Sequence, residues 1–182
     1  LYDYQKMLNS DSNTYIQIPE TDGTFDSGPF DFSAGAGYSV NVWVMRTGYG
    51  TWQSGTTNYD GIWNYYWNHY LAFSGNHTGQ NYVWGTGLNN YAIDMDEWYS
   101  FTTTHDNGEG GNHQVYVDGA LQQTSNTGNA GSARRFYCGN WDSSWAMVGK
   151  FGCIRVYNRP LTAEEVLQNY NATKTRFGFG FD

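Results

Sequence analysis

His113-Gln114-Val115-Tyr116-Val117-Asp118-Gly119-Ala120-Leu121-Gln122 reads as a β-hairpin. A run rich in β-branched and aromatic residues enters a two-residue turn, and Asp-Gly supplies the positive φ angles that such a turn needs at little steric cost. The same grammar extends upstream. Ser39 to Met45 sets Val40, Val42 and Val44 on one face and Asn41, Trp43 and Met45 on the other, the two-residue period of a strand. Gly61–Tyr66, Tyr70–Ser74, Tyr82–Trp84, Trp98–His105, Arg135–Cys138 and Phe151–Tyr157 are further short strands, separated by Gly, Asn and Asp. In Gly61–Tyr66 and the residues after it, period two predicts Ile62, Asn64 and Tyr66 on one face and Trp63, Tyr65 and Trp67 on the other.

One helix is legible. Thr162 stands as N-cap with Glu165 three residues on, a capping box, and Leu161 can staple onto Val166. Val166, Leu167 and Tyr170 form its apolar stripe, and it ends between Asn171 and Lys174. Roughly ten strands at short spacing, one late helix and no βαβ alternation predict an all-β fold. The expected architecture is a two-sheet antiparallel β-sandwich or jelly roll with one short C-terminal helix. No repeat at a fixed period is visible. The chain of 182 residues reads as a single domain over 1–176 with a Phe/Gly tail at 177–182, whose Phe177, Phe179 and Phe181 fall on one face if extended.

Composition removes several function classes. Aromatics make up 19% and charged residues 14%, which excludes a disordered tail and a coiled coil. Nine basic against seventeen acidic residues give a net charge of -8, a poor match to a nucleic-acid backbone. Residues 1–133 hold two of the basic and thirteen of the acidic side chains, so the two ends of the chain can attract, within or between copies. No apolar run approaches the roughly 20 residues of a membrane helix, and no membrane insertion is expected. The chain begins at Leu1 without a basic-then-apolar leader, as a processed product or a piece of a longer protein would. If Arg135–Cys138 and Phe151–Tyr157 pair, Cys138 and Cys153 share a face and a disulfide can join them; a reducing compartment would leave them free. Asn76-His77-Thr78 and Asn171-Ala172-Thr173 match the glycosylation pattern and fit an extracellular setting.

The order of these motifs resembles the laminin-G-like branch of the concanavalin A-like lectin and glucanase jelly rolls. Tyr38 to Val44 looks like its early core strand, Glu97-Trp98-Tyr99 like a later strand start, and His113 to Gly119 like its Tyr-Val-Asp-Gly hairpin. Phe136-Tyr137-Cys138-Gly139 is similar to the strand that follows. Phe151 to Val166, with Tyr157-Asn158-Arg159-Pro160-Leu161-Thr162-Ala163-Glu164-Glu165, is similar to the family's strand-into-helix ending. The resemblance covers about residues 30–172. The closing Gln168 to Gly178 is similar to endings of such domains in bacteriophage structural proteins, which makes a virion or other extracellular surface a candidate setting.

The resemblance implies a catalytic test. Related glucanases carry Glu-x-Asp-x-x-Glu on one strand face, because acid and nucleophile must flank the same glycosidic bond. Asp94-Met95-Asp96-Glu97 comes nearest, lacks the first Glu and sits at a strand entrance, so it reads as turn acidity. There is no Gly-x-Ser-x-Gly, His-Glu-x-x-His, Cys-x-x-Cys or phosphate loop. No catalytic residue is assigned, and the chain is not expected to be an enzyme. His69, His77, His105 and His113 are scattered along the chain and read as ordinary strand or surface residues. Family members bind calcium at the sandwich rim, where Asp60, Asn140 and Asp142 are candidates; no metal or other cofactor is assigned.

The strongest functional signal is aromatic. Trp52, Tyr59, Trp63, Tyr65, Tyr66, Trp67, His69 and Tyr70 crowd one segment among Asn58, Asn64 and Asn68, and Trp141 and Trp145 frame a second. Sugar C–H faces pack on such rings while Asn and Asp bond the hydroxyls. Trp52, Tyr59, Trp67, Asn68, Trp141 and Asp142 are the candidate carbohydrate-binding residues. The expected function is a non-catalytic carbohydrate-binding or adhesion module whose partner is a glycan or polysaccharide. The alternative is a self-assembling subunit of a phage virion or extracellular filament, joined by aromatic faces and the Phe/Gly tail; a polysaccharide hydrolase or lyase ranks below both.

Overall fold

A computed structural model describes residues 8–10, 16–18, 37–50, 53–54, 57–66, 69–76, 81–106, 111–126, 136–140 and 145–178. Its strands, numbered in chain order, form two antiparallel sheets. The first runs β1 (Leu8–Ser10), β13 (Gly149–Tyr157), β3 (Tyr38–Arg46), β9 (Trp98–His105), β10 (Asn112–Val117) and β11 (Ala120–Asn126). The second runs β2 (Ile16–Ile18), β12 (Phe136–Cys138), β5 (Thr57–Tyr66), β6 (His69–Asn76), β7 (Asn81–Gly85) and β8 (Leu88–Ala92), with the short β4 (Gln53–Ser54) also on β5. Helix α1 (Ala163–Thr173) and a 3-10 turn (Lys174–Phe177) cover the outside of the first sheet. This is the expected sandwich. The short strands β1, β2, β4 and β8 are additions to the elements read from sequence.

Alternation decides what the sheets enclose. Val40, Val42 and Val44 of β3 meet Leu71 and Phe73 of β6, Val83 of β7, and Phe101, Val115 and Val117 across β9 and β10, all buried in one core. The hairpin at Asp118-Gly119 has φ of 50° and 79°, both positive as the turn requires. The turn is docked on β9 through Ser100 N–H, which donates to Asp118 Oδ1 at 2.8 Å. In β5, however, Ile62 and Trp63 are both fully buried in the core. The register shifts between Gly61 and Trp63 and again between Asn64 and Tyr66. These bulges overturn the strict alternation expected there, because an extra residue rotates the side chains that follow it.

Four further expectations change. Cys138 lies in β12 of the second sheet and points into the core, whereas Cys153 lies in β13 of the first sheet, in register with the outward-facing Trp43. Strands in opposite sheets cannot set their Cys side chains on one face, and both cysteines are free thiols. Asp60 is not at the rim. It is fully buried and bridges the sheets to Arg46, with Oδ2 accepting from Nη2 at 2.5 Å and Nε at 3.0 Å, while Oδ1 accepts from Gly50 N–H at 2.8 Å. Arg46 also donates to Asn81 Oδ1 at 3.1 Å and lies over the rings of Tyr49 and Phe73. Burial pushes the Asp60 carboxyl above the ordinary carboxylate range against the pull of that guanidinium. Asn140 is buried too.

The third change is in the histidines. His69, His105 and His113 are not scattered in space: they converge, fully buried, at one point between the sheets. His77 lies outside the described residues. The fourth is at the chain end. The capping box forms, with Thr162 Oγ1 accepting from Glu165 N–H and the Glu165 carboxylate accepting from Thr162 N–H. Leu161 and Val166 share a small core with Tyr116. Val166 and Thr173 are the buried residues of the helix, Tyr170 is half-buried on Trp43, and Leu167 is 48% exposed. Phe177 ends the 3-10 turn and stacks on Trp43, so it packs on its own domain instead of opening an extended tail. Phe179 and Phe181 lie outside the described residues.

Candidate functional site

The second sheet carries an aromatic platform on its outer face. Leu71 and Phe73 of β6 and Val83 of β7 point inward, so Tyr70 and Trp84, one residue displaced, stand on the other side. Tyr59 of β5, next to the inward Asp60, joins them. Trp145 arrives from the segment before β13. That segment is laid along β5 by backbone bonds from Gly61 N–H to Trp145 C=O at 2.7 Å, from Gly139 N–H to Ile62 C=O at 3.0 Å and from Met147 N–H to Gly139 C=O at 2.9 Å.

The four rings form one contiguous surface. Tyr59 stacks on Trp145 with centroids 5.3 Å apart, and Trp84 meets Tyr59 edge-on at 5.6 Å and Tyr70 edge-on at 5.2 Å. Trp84 and Trp145 lie 6.3 Å apart. Each ring is half-buried, held by its neighbours with part of its surface in water. Tyr70 is fixed from below: Thr86, in the β7–β8 turn, accepts from Tyr70 N–H at 3.0 Å and donates its hydroxyl to the Tyr70 carbonyl. Gly85, at φ 112°, lets the Tyr70 ring lie against the backbone, since a Cβ there would come within 2.7 Å of the ring. Burial, then the neighbouring Tyr59, push the Tyr70 phenol up to about 12, so it stays a protonated hydroxyl at physiological pH. Rigid, half-exposed ring faces with neutral hydroxyls at their edges suit a flat, uncharged, hydroxylated ligand.

Of the residues selected from sequence, Tyr59 is on this platform. Trp52, Trp67, Asn68, Trp141 and Asp142 lie outside the described residues. Among the glycosylation candidates, Asn171 is exposed on α1 and Asn76 closes β6. The platform members Tyr70, Trp84 and Trp145 were not among the selected residues. Alternation along β6 and β7 could have found Tyr70 and Trp84; Trp145 could not have been found that way, because its position depends on a segment without regular strand pairing. Asp94 to Glu97 form a turn at the β9 entrance, with Asp96 at φ 63°.

Sequence comparison agrees with this architecture. The chain belongs to the concanavalin A-like lectin/glucanases superfamily, whose family model matches residues 10–167. A search of curated proteins finds no match. Among solved structures, the binding domain of botulinum neurotoxin serotype G is similar at 17% identity and TM-score 0.56, covering 93% of this chain and 42% of that one. The binding domain of serotype D is similar at 16% identity and TM-score 0.58, over 91% and 41%. Trypanosoma rangeli sialidase in complex with a difluoro-KDN ligand is similar at 15% identity and TM-score 0.62, over 96% of this chain and 28% of that one. The chain thus spans less than half the length of these structures, and at such identities the likeness is one of fold. Among the described residues, no helix is long and apolar enough to cross a membrane.

Proposed function

We propose that this domain is a non-catalytic carbohydrate-binding or adhesion module acting at an extracellular or virion surface. The observation that carries the reading is the platform of Tyr59, Tyr70, Trp84 and Trp145 on the outer face of the second sheet. Ring faces that are already packed lose little conformational freedom when a sugar settles on them, and the apolar face of a pyranose replaces water there. A superfamily that includes lectins supports this reading. The Asp94–Glu97 turn lacks the first Glu of the glucanase Glu-x-Asp-x-x-Glu pattern and stands at a strand entrance, which supports the non-catalytic role. A single platform of this size binds weakly, and adhesion then depends on several copies acting together.

The test is retention on immobilised polysaccharides and a glycan array, comparing the wild-type chain with Tyr59→Ala and Trp145→Ala. Binding at this surface requires at least a tenfold loss in each variant while thermal unfolding remains cooperative. Unchanged retention in both folded variants overturns the assignment. Release of reducing sugars from a bound polysaccharide overturns the non-catalytic role.

A further inference from the structure

Three of the four histidines meet in the core. Tyr38 of β3 pairs in register with His105 of β9, and His105 with His113 of β10, so three neighbouring strands of the first sheet place these side chains side by side. His69, the first residue of β6, comes across from the second sheet. The imidazole centroids lie 4.1 Å apart for His105 and His113, 4.6 Å for His69 and His113, and 4.8 Å for His69 and His105. All three are 0% exposed, as is Tyr38, whose hydroxyl lies 2.6 Å from His69 Nδ1 and 2.9 Å from His113 Nε2. One nitrogen from each ring lies within 4.8 Å of the other two.

We propose that His69, His105 and His113 bind a zinc-class divalent metal ion that ties the two sheets together. The donor set argues for that class. Imidazole nitrogens suit Zn2+ and its first-row neighbours, whereas Ca2+ and Mg2+ take oxygen ligands, and among the described residues no carboxylate belongs to this group. The spacing is close to what a tetrahedral ion needs. Zn–N bonds of about 2.0–2.1 Å put ligand nitrogens roughly 3.4 Å apart, so each nitrogen moves inward by ~0.8 Å or less. The Tyr38 hydroxyl, touching two of the rings, orients them as hydrogen-bonded partners of metal-binding histidines do. Full burial makes the site closed, of the structural kind.

The sequence gives no hint of this. His69, His105 and His113 stand 36 and 8 residues apart, and no short ligand motif is formed. Only pairing of β3, β9 and β10, with β6 facing them, brings the rings together.

The test uses the whole chain, stripped with a chelator under denaturing conditions and refolded with Co2+ or Zn2+. The expected result is about one metal ion per chain retained through gel filtration, and visible d–d absorption from four-coordinate Co2+. Zn2+ should raise the unfolding midpoint by about 5–10 °C at a hundredfold excess over Kd, the shift for a chain of this size. His69→Gln and His113→Gln should each abolish retention. A refolded wild-type chain with neither retained metal nor four-coordinate Co2+ bands overturns the proposal, whether or not the variants fold. Folded variants that retain the metal as the wild type does also overturn it.

Discussion

The Trp43 indole lies on the Phe177 ring, with centroids 4.3 Å apart and planes 16° from parallel. Tyr170 stacks on the same indole at 5.6 Å, and Trp98 touches Phe177 at 4.8 Å. The indole N–H donates to Thr173 Oγ1 at 3.0 Å, which satisfies a buried polar group. One strand residue therefore fastens both the helix and the 3-10 turn after it to the outside of the first sheet. Gly152 of β13 lies directly beneath Phe177, where a Cβ would collide with the ring.

Removing this clasp should loosen the C-terminal elements. Phe177→Ala is expected to destabilise by about 2 kcal/mol, less than the full cost of truncating a fully buried Phe because this ring is half-exposed. Gly152→Ala should act in the same direction. Urea unfolding followed by tryptophan fluorescence measures both, and wild-type midpoints in both variants would refute the clasp.

The Arg46–Asp60 pair predicts a larger and non-additive effect. Asp60→Asn leaves a guanidinium with neither side chain exposed to water, a cost of about 3–5 kcal/mol. Adding Arg46→Met to that variant should recover part of the loss, since both buried charges are then gone. The double-mutant cycle in chemical denaturation gives the coupling directly. A double variant as unstable as the sum of the two singles refutes it.

At the helix start, Arg159 and the Thr162 N–H hold the exposed Glu165 carboxylate down to about 2 from an ordinary value of 4.5. A depressed carboxylate contributes stability that is present above pH 4.5 and fades as the pH falls toward 2. Glu165→Gln should therefore flatten the acid limb of the stability curve between those values. Thr162→Ala should cost about 1 kcal/mol at neutral pH through the lost cap. Stability against pH for the wild type and both variants checks these signs.

The thiols should behave differently from one another. Burial pushes the Cys138 thiol far above its usual range, while Cys153 is half-buried on the opposite sheet. In the native protein a thiol reagent is expected to modify Cys153 and spare Cys138, with both reacting after unfolding. Reductant should leave the unfolding midpoint unchanged. A midpoint that falls on reduction contradicts the free-thiol assignment.

Tyr59 reached the candidate surface from sequence because ring clustering in one segment is a local signal. Tyr70 stands in the same cluster, and the inward Leu71 and Phe73 of β6 turn it outward, as the inward Val83 of β7 turns Trp84. Ile62 and Trp63 show the opposite case: period two sets them on opposite faces, and the bulge between Gly61 and Trp63 cancels it. Asp60 reads as a loop acid from its neighbours and is a core ion, because Arg46 on the facing sheet gives it a partner.

The amino-acid order alone determined the elements whose causes are near in sequence. Asp118-Gly119 turns the hairpin because only those two backbones need positive φ, and Thr162 with Glu165 starts the helix by bonding to N–H groups three residues away. The valines of β3 fixed the inward face of the central strand. Tertiary structure decided whatever depends on two sheets facing each other. It separated Cys138 from Cys153, joined Arg46 to Asp60, seated Phe177 on Trp43 and gathered His69, His105 and His113 around Tyr38. Strand pairing and sheet packing bring residues together across long separations, and neither local propensity nor spacing encodes which partner stands opposite.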